Sequence, residues 1–185
     1  EKLYELGFNS LRENNNGINA DLGLALGAGE VSLYELVPAF SSFVRDGIFI
    51  PLRHTQATED AFKKLTIGSQ VYSSDTARLI CSILSDKAAR SLGFGYTQTF
   101  QTNYPSIFKT GTSNQYQNIV ALGATKNFTI GVWMGNFSGQ TVMGKTGSSL
   151  PAWVAKNILD KLEDSNPYNL EKKFPEPEQW HKERI

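Results

Sequence analysis

Hydrophobic positions in the first part of the chain repeat with the period of a helix. After Ser32 they recur every three or four residues up to Gly47, which predicts an amphipathic helix, and Pro38 inside it predicts a kink. Ser32 and Glu35 have the spacing of a capping box, in which each side chain binds the other residue's backbone amide. The predicted buried stripe of this helix consists of Leu33, Leu36, Val37, Phe40, Phe43 and Val44.

A strand and two further helices are predicted before residue 95. Residues 48–52 are a short strand candidate, and Ser74 is expected to cap the helix that follows. Cys81 shares one face of that helix with apolar neighbours, so it is predicted to lie in the core. A shorter helix is expected to begin near Asp86 and to end before Gly93. Arg90 is predicted to stabilise the C-terminal end of this shorter helix electrostatically.

The middle of the chain has a period of two, which is typical of strands. Residues 107–113, 119–125 and 128–135 are three strand candidates, and the two-residue link 126–127 suits a tight hairpin. These features predict an antiparallel meander. Trp133 is expected at a core position of the third strand.

The last predicted helix opens at Pro151, since proline suits the first turn of a helix. Its inward side chains are predicted to be Trp153, Val154, Ile158 and Leu162. Helices, then a sheet, then a final helix predict an α+β domain in which helices pack on the faces of an antiparallel sheet.

The ends of the chain carry their own signals. The first residue is Glu1 rather than Met, and residues 1–6 resemble the end of a helix closed by Gly7, so we expect a piece of a longer protein. Residues 1–164 are predicted to belong to one domain. Residues 165–185 contain three prolines with balanced charge, which predicts an extended tail or interdomain linker.

Composition excludes several functional classes. The 185 residues include 18 basic and 18 acidic side chains, so no overall field favours nucleic acid or an anionic membrane surface. The longest nearly apolar run, residues 128–137, is about half of a membrane span. Cys81 is the one cysteine, which excludes an internal disulfide, and two histidines beside it do not make a four-ligand zinc site.

A Lys-Thr-Gly triplet lies on the first strand of the predicted meander. Strand alternation places Lys109 and Gly111 on one face and Thr110 and Thr112 on the other. A lysine here can hold the carboxylate end of a peptide, the Thr112 amide can point at a developing oxyanion, and Gly111 leaves room for another element. An edge strand can also accept an extended peptide as an added strand. The alternative is an ordinary edge strand guarded by one lysine.

A second Lys-Thr-Gly triplet, at residues 145–147, suggests a different function. Lys145 and Thr146 end the segment that begins at Gly139, and residues 139–146 satisfy the phosphate-loop pattern letter by letter. In a true phosphate loop the helix starts at the Lys-Thr pair, so that its amides face the phosphates. Here Pro151 delays the helix, and no apolar strand ending in Asp follows to hold magnesium. A nucleotide site is therefore the weaker hypothesis.

Several segments resemble the transpeptidase domain of class A penicillin-binding proteins, particularly the 1C type, within the serine D,D-peptidase and β-lactamase-like superfamily. The resemblance covers about residues 23–162, and its pieces follow in the family's order. They are LGLALGAGEVSLYEL at 22–36, ILSDKAAR at 83–90 with Phe94-Gly95, KTGTS at 109–113, GVWMGNF at 131–137 and GSSLPAW at 147–153. In this family the segment that mimics a phosphate loop is the turn before the last helix.

The resemblance implies a function for the first triplet. Lys109, Thr110, Gly111 and Thr112 would be the catalytic-site residues of a peptidoglycan D,D-transpeptidase, with Lys109, Thr110, Thr112 and Ser113 binding substrate. The substrates and partners implied are stem peptides, the β-lactams that imitate them, and the upstream half of the same domain. Nucleic acid, metal and organic cofactor are not implied. The family is anchored in the cytoplasmic membrane, through a segment absent from this chain, with this domain on the extracytoplasmic (periplasmic) face.

The chain also departs from the family pattern. The family's nucleophile is a serine three residues before a lysine at a helix N-terminus, and a Ser-x-Asn motif completes its proton relay. Ser106 and Lys109 fit the first pattern by letters but lie on the strand, so Ser106 is not expected to be the nucleophile. Residues 116–118 resemble a relay variant but follow the triplet, so a structural role is predicted. Asn118 and Val120 replace the usual acid and aromatic.

The sequence leaves three functional hypotheses open. The chain is expected to be the inactive C-terminal part of a transpeptidase domain. The alternatives are a non-catalytic penicillin-sensing module of the same fold and, less favoured, a phosphate-loop nucleotide-binding protein. His54 is interpreted as a surface histidine rather than a general base, and Trp180 is expected to dock on a neighbour.

Overall fold

The computed structural model describes residues 1–13, 22–53, 68–94, 98–142, 144, 146, 148–167 and 173–180. The helices are α1 (Lys2–Glu5), α2 (Ser10–Glu13), α3 (Leu33–Val44), α4 (Ser74–Ser85), α5 (Lys87–Phe94) and α6 (Leu150–Asp164). The strands are β1 (Ile48–Phe49), β2 (Ser69–Gln70), β3 (Ile107–Thr112), β4 (Asn118–Ala124) and β5 (Thr129–Gly135). Among these described helices none is long and apolar enough to cross a bilayer.

The central sheet is the predicted antiparallel meander. Its strand order is β3-β4-β5, with Ile107 opposite Ala124 and Thr112 opposite Ile119 in the first pair. Ala124 is in turn paired with Thr129, next to the tight turn that joins β4 to β5. A separate small ladder pairs β1 with β2, so the predicted strand at 48–52 is shorter than expected.

Helices cover both faces of this sheet, as an α+β layout requires. On one face α3 and α4 bury a cluster that includes Phe40, Cys81, Ile107 and Leu122. On the other face α6 and the loop before β3 bury a cluster that includes Phe108. Successive residues Ile107 and Phe108 thus enter different clusters, because neighbouring side chains of a strand point to opposite faces. The predicted core position of Cys81 is confirmed, since it is 2% exposed.

The N-terminal segment packs against the start of α3. Leu6 and Phe8 join a third buried cluster with Phe49. Glu35 completes the predicted capping box with Ser32 and also accepts hydrogen bonds from the amide and hydroxyl of Ser10 at 2.9 and 2.8 Å. Burial alone would raise the pKa of Glu35, but the backbone and hydroxyl donors of Ser10 and Ser32 outweigh it and lower the pKa to about 2.

The predicted inward face of the last helix is wrong by about one residue. Trp153 is 54% exposed and Ile158 is 40% exposed. The buried positions of α6 include Ala152, Ala155 and Leu159, which corresponds to a rotation of about 100° from the predicted stripe. Small alanines let the helix lie close to the sheet, and that benefit is invisible to a hydrophobicity pattern, which favours the larger side chains.

Other local predictions need smaller corrections. Trp133 lies on β5 but is 37% exposed rather than in the core. Helix α3 continues through Pro38, and the kink predicted there stays a prediction. Ser73 rather than Ser74 caps α4, because its hydroxyl accepts from the amide of Thr76. Helix α5 includes Gly93 instead of ending before it.

The described part of the C-terminal segment contacts the domain. Phe174 packs against the cluster between α3, α4 and the sheet. Glu178 forms an ion pair with Arg78 at 3.2 Å, and its amide donates to Asp75 on α4. Trp180 is 57% exposed. The division of the chain at residue 165, and the role of the last residues as a linker, stay predictions.

Candidate functional site

The Lys-Thr-Gly triplet lies on β3, at the edge of the central sheet. In the described part of the chain β3 pairs with β4 alone, so its other side is an open edge. Lys109 pairs with Leu122 and Gly111 with Val120, on the face that α3 and α4 cover. A Cβ added to Gly111 would lie 2.9 Å from Cγ1 of Val120, so glycine relieves crowding between the two strands.

The Lys109 ammonium and the Thr112 amide lie at the same open edge, the ammonium through its side chain and the amide through the direction of the backbone. The amide of Ser113 donates to the carbonyl of Asn118 at 2.8 Å and therefore points toward β4. Because successive amides of a strand point to opposite sides, the N–H of Thr112 points toward the open edge. The carbonyl of Thr110 points the same way, and it accepts a hydrogen bond from Nζ of Lys109 at 2.9 Å.

A cavity of about 230 Å³ adjoins this edge. Lys109 and Thr110 line it together with Arg90. The remaining walls are apolar or aromatic and consist of Ile83, Leu84, Ala89, Phe94, Phe100 and Phe108. The site therefore combines one exposed cation, a strand edge that faces away from β4, and an apolar recess beside them.

Arg90 has a different role from the predicted one. It lies within α5 and donates to the carbonyl of Leu84, in the last turn of the preceding helix α4. Its guanidinium carbon is 4.9 Å from the ring centroid of Phe100, a cation–π distance. Burial lowers the pKa of Arg90. Arg90 thus stabilises the end of α4 instead of its own helix, a tertiary contact that its position in the sequence does not signal.

Ser106 has the environment of a structural serine. It is 8% exposed and precedes the first residue of β3, so it does not lie at a helix start. Its hydroxyl is 2.5 Å from the hydroxyl of Thr102. Lys109 is exposed at the edge of β3. This arrangement lacks the one-turn helical spacing that would let lysine activate serine.

The segment that follows the triplet is tied into the turn between β3 and β4. Ser113 accepts a hydrogen bond from the amide of Asn118 at 2.8 Å. The side-chain oxygen of Asn118 accepts from Nε1 of Trp133 at 3.0 Å. The carbonyl of Tyr116 accepts from the amide of Val142 at 2.9 Å. These bonds support the structural interpretation of residues 116–118.

Two residues of the second triplet, Lys145 and Gly147, lie outside the described residues, and so does His54. Thr146 is described, and its amide donates to the hydroxyl of Ser149 at 3.0 Å in a turn. Helix α6 begins only at Leu150. Thr146 therefore lies in a turn before the helix and not at a helix start, which phosphate binding by the Lys-Thr pair requires.

Comparison with known proteins shows which family has a sequence similar to this chain. A family model described as the penicillin binding protein transpeptidase domain matches residues 5–143. Penicillin-binding protein 1C of Escherichia coli (strain K12) is 29% identical over 132 residues, which are 71% of this chain and 16% of that protein.

Two solved structures show the same fold. The penicillin-binding protein PonA1 from Mycobacterium tuberculosis superposes with a TM-score of 0.75 at 20% identity, covering 96% of this chain and 51% of that one. Penicillin-Binding Protein 1A from Haemophilus influenzae gives a TM-score of 0.65 at 17% identity, covering 95% and 31%. The chain thus spans about half or less of the proteins that it matches.

The resemblance and the α+β fold inferred from the sequence are both confirmed by these matches. The family match extends through the capping-box helix, the strand that carries Lys109 and the meander, in one continuous range. The chain therefore belongs to the penicillin-binding protein transpeptidase domain family.

Proposed function

We propose that residues 1–164 form the C-terminal part of a peptidoglycan D,D-transpeptidase domain, for which β3 supplies the substrate-binding strand. The observation that carries the proposal is the common position of the Lys109 ammonium, the Thr110 carbonyl and the Thr112 amide at one open strand edge. An extended peptide can add to such an edge through its backbone, and a cation there selects a peptide that ends in a carboxylate.

Each residue of the triplet has a separate part in this proposal. Lys109 and Thr110 bind the terminal carboxylate of a stem peptide, and Ser113 closes the turn beside it. The Thr112 amide stabilises the oxyanion that forms when the penultimate carbonyl is attacked. Gly111 lets β3 and β4 approach at Val120. Nζ of Lys109, which donates to the carbonyl of Thr110 at 2.9 Å, would exchange this neutral acceptor for the charged carboxylate.

The proposed reaction has two steps. A serine of the upstream half attacks the carbonyl of the penultimate D-Ala, and the bond to the terminal D-Ala breaks, so that this residue leaves with its amine protonated. The amine of a neighbouring stem peptide then attacks the acyl-enzyme and regenerates the serine. β-Lactams would occupy the same edge because they present a similar carboxylate beside a reactive carbonyl. This chemistry places the domain on the extracytoplasmic side of a cell membrane, where peptidoglycan is assembled.

The test is the rate of acylation in a longer protein that includes the upstream half of the domain. Lys109→Ala is expected to lower the rate of labelling by a fluorescent penicillin by about 10² or more, the scale for losing one such electrostatic contact. Lys161→Ala, which removes an exposed lysine of α6, is the matched control and should change the rate by less than about threefold. Thermal melting of both variants verifies that they fold.

Two outcomes would contradict the proposal. Acylation that survives Lys109→Ala at nearly the original rate would leave the triplet as an edge-strand guard. A stable, saturable penicillin adduct on Ser106 in the 185-residue chain by itself would show that the nucleophile had been assigned to the wrong half. A longer protein that acylates normally but releases the acyl group very slowly would favour the penicillin-sensing alternative.

A further inference from the structure

One end of the central sheet extends past the start of α3. The helix begins at Leu33, and a Cβ added to Gly131 of β5 would lie 2.8 Å from Cδ1 of Leu33. From there α3 runs toward the start of β5, because Val44 at its other end lines the same cavity as Thr129. The next residue of β5 on this face is Trp133, which therefore lies beyond the helix and is 37% exposed.

The indole of Trp133 is fixed on the sheet by two contacts. Its Nε1 donates to Oδ1 of Asn118 at 3.0 Å, and a Cβ added to Gly135 would lie 2.5 Å from its Cζ2. Phe137 lies beside it, with 5.5 Å between the ring centroids, and is fully exposed. We call the surface formed by these four residues the ledge. If a whole aromatic side chain has about 200 Å², the two rings together expose roughly 300 Å².

The two segments that form the ledge carry no charge. Residues 110–125 and 127–144 contain no aspartate, glutamate, lysine, arginine or histidine, although 19% of the whole chain is charged. The polar side chains around the ledge are mostly amides, and they belong to Asn114, Gln115, Gln117, Asn118, Asn136 and Gln140. Because amides both donate and accept hydrogen bonds, they suit a neutral ligand that does the same.

The size and composition of the ledge favour a small neutral ligand over a protein or a membrane. A stable protein interface buries about 800 Å² per partner, more than twice the aromatic area of the ledge. An anionic membrane surface attracts basic segments, and residues 127–144 have no basic side chain. A sugar ring fits better, because its C–H groups pack on an aromatic face while its hydroxyl and acetamido groups hydrogen-bond to amides.

The ledge also lies toward the end of β3 from which a stem peptide would leave. In the proposed function the terminal carboxylate lies at Lys109 and the penultimate carbonyl at the amide of Thr112. The N-terminal end of the peptide, which is joined to a glycan strand, therefore points toward the turn after β3. Trp133 pairs with Val120, which pairs with Gly111, so two strand spacings place Trp133 roughly 10 Å from β3. Three residues of an extended peptide, at about 3.4 Å each, span that distance.

We infer that the ledge binds an N-acetylated sugar ring of the glycan strand whose stem peptide lies along β3. The sugar ring packs on Trp133 and Phe137. The side-chain nitrogen of Asn118, whose oxygen accepts from Trp133, donates to the acetamido carbonyl of the sugar. The assignment to a glycan strand rests on the proposed function, whereas the binding of an N-acetylated sugar rests on the ledge itself.

Diacetylchitobiose is a suitable probe because it carries two N-acetylated sugar rings and no peptide. Titrated into the ¹⁵N-labelled 185-residue chain, it is expected to give saturable shifts of Nε1–H of Trp133 and of the amides of residues 133–137. Cellobiose, which lacks the acetamido groups, should bind at least about fivefold more weakly. Phe137→Ala should weaken binding about three- to tenfold, the scale of one aromatic contact, and Trp133→Ala should weaken it at least as much.

A second tryptophan supplies the matched control. Trp153 on α6 is 54% exposed and lies on the other side of the sheet, so Trp153→Ala should leave the affinity for diacetylchitobiose unchanged. Unchanged melting temperatures establish that the variants are folded, and the full exposure of Phe137 makes its variant safe in this respect.

Four outcomes would overturn the inference. They are equal weakening by Trp153→Ala, equal binding of cellobiose, no saturable binding of diacetylchitobiose, and self-association or vesicle cosedimentation that Phe137→Ala abolishes while the sugar does not bind. The acylation test of Lys109→Ala uses no sugar, and this titration uses no peptide. Failure of the ledge and failure of the proposed function of β3 are therefore distinguishable.

Discussion

Glu35 is the residue whose loss should most clearly test the account of the fold. Its carboxylate accepts hydrogen bonds from the amide and hydroxyl of Ser10 and from the amide and hydroxyl of Ser32, at 2.8 to 3.0 Å. It therefore caps α3 and also fixes the N-terminal segment to that helix. Glu35→Gln removes the negative charge but keeps the shape of the side chain. The resulting loss in the free energy of unfolding therefore measures the charge-assisted part of these contacts.

The magnitude follows from the pKa of Glu35. A pKa that falls from 4.5 to about 2 on folding corresponds to at most roughly 3.4 kcal/mol of stability at neutral pH. Glu35 is partly exposed, and water weakens such contacts, so we expect Glu35→Gln to lower the free energy of unfolding by about 1–2 kcal/mol at pH 7.

The same pKa gives the sign of the pH dependence. The folded-state pKa is below the unfolded value, so the contribution is complete above pH 4.5 and disappears as the pH falls toward 2. By pH 3.5 the difference between the two proteins should have shrunk by roughly 40%. Urea unfolding followed by circular dichroism at pH 7, 5 and 3.5 measures this difference in the free energy of unfolding. Glu30→Gln, at an exposed position just before α3, is the control. A variant as stable as the original protein at pH 7, or a difference that stays constant down to pH 3.5, would refute the reasoning.

Four other changes probe the packing and the second triplet. Gly131→Ala would place a Cβ within 2.8 Å of two side chains of α3 and should cost about 1–3 kcal/mol in urea unfolding. Gly93→Ala, where nothing lies within 4 Å, should instead stabilise the chain by up to about 1 kcal/mol. Asp160→Asn should cost about 1–3 kcal/mol, because it leaves the half-buried Lys156 without its carboxylate partner at 2.8 Å. Lys145→Ala should leave the melting temperature unchanged with or without ATP; micromolar ATP affinity lost in this variant would restore the nucleotide hypothesis.

Local rules predicted the parts of the fold that local interactions determine. The capping box of Ser32 and Glu35 depends on two residues three positions apart, and it forms as predicted. The meander likewise follows from alternation and a two-residue turn, which fix strand pairing together. The additional bonds from Ser10 to Glu35 connect positions 25 residues apart. No sequence pattern marks that pairing, because it arises only when the two segments pack.

The error in α6 has a different origin. Hydrophobicity ranked Trp153 and Ile158 above the alanines, but the sheet selects side chains by how closely they let the helix approach. Leu159 and Ala155 are 0% exposed, while the buried carboxylate of Glu163 is satisfied by the amide of Asn127. A polar residue on the inner face makes the true stripe weaker in any hydrophobicity profile. The rotation of the helix could therefore be known only once its partner strand was in place.

In the candidate site, too, one feature could be predicted from the sequence and another depends on the fold. Alternation along β3 placed Lys109 on the face opposite to Thr110, yet its ammonium reaches the Thr110 carbonyl at the strand edge. The flexible stem of lysine lets its ammonium reach the strand edge. The outward amide of Thr112 lies along the same edge, so both groups can face one ligand there. A strand in the middle of a sheet could carry the same three letters, but its edge groups would be paired with a neighbour. The chemistry proposed for the triplet therefore depends on where the strand lies in the sheet, and among the described strands β3 lies at the edge.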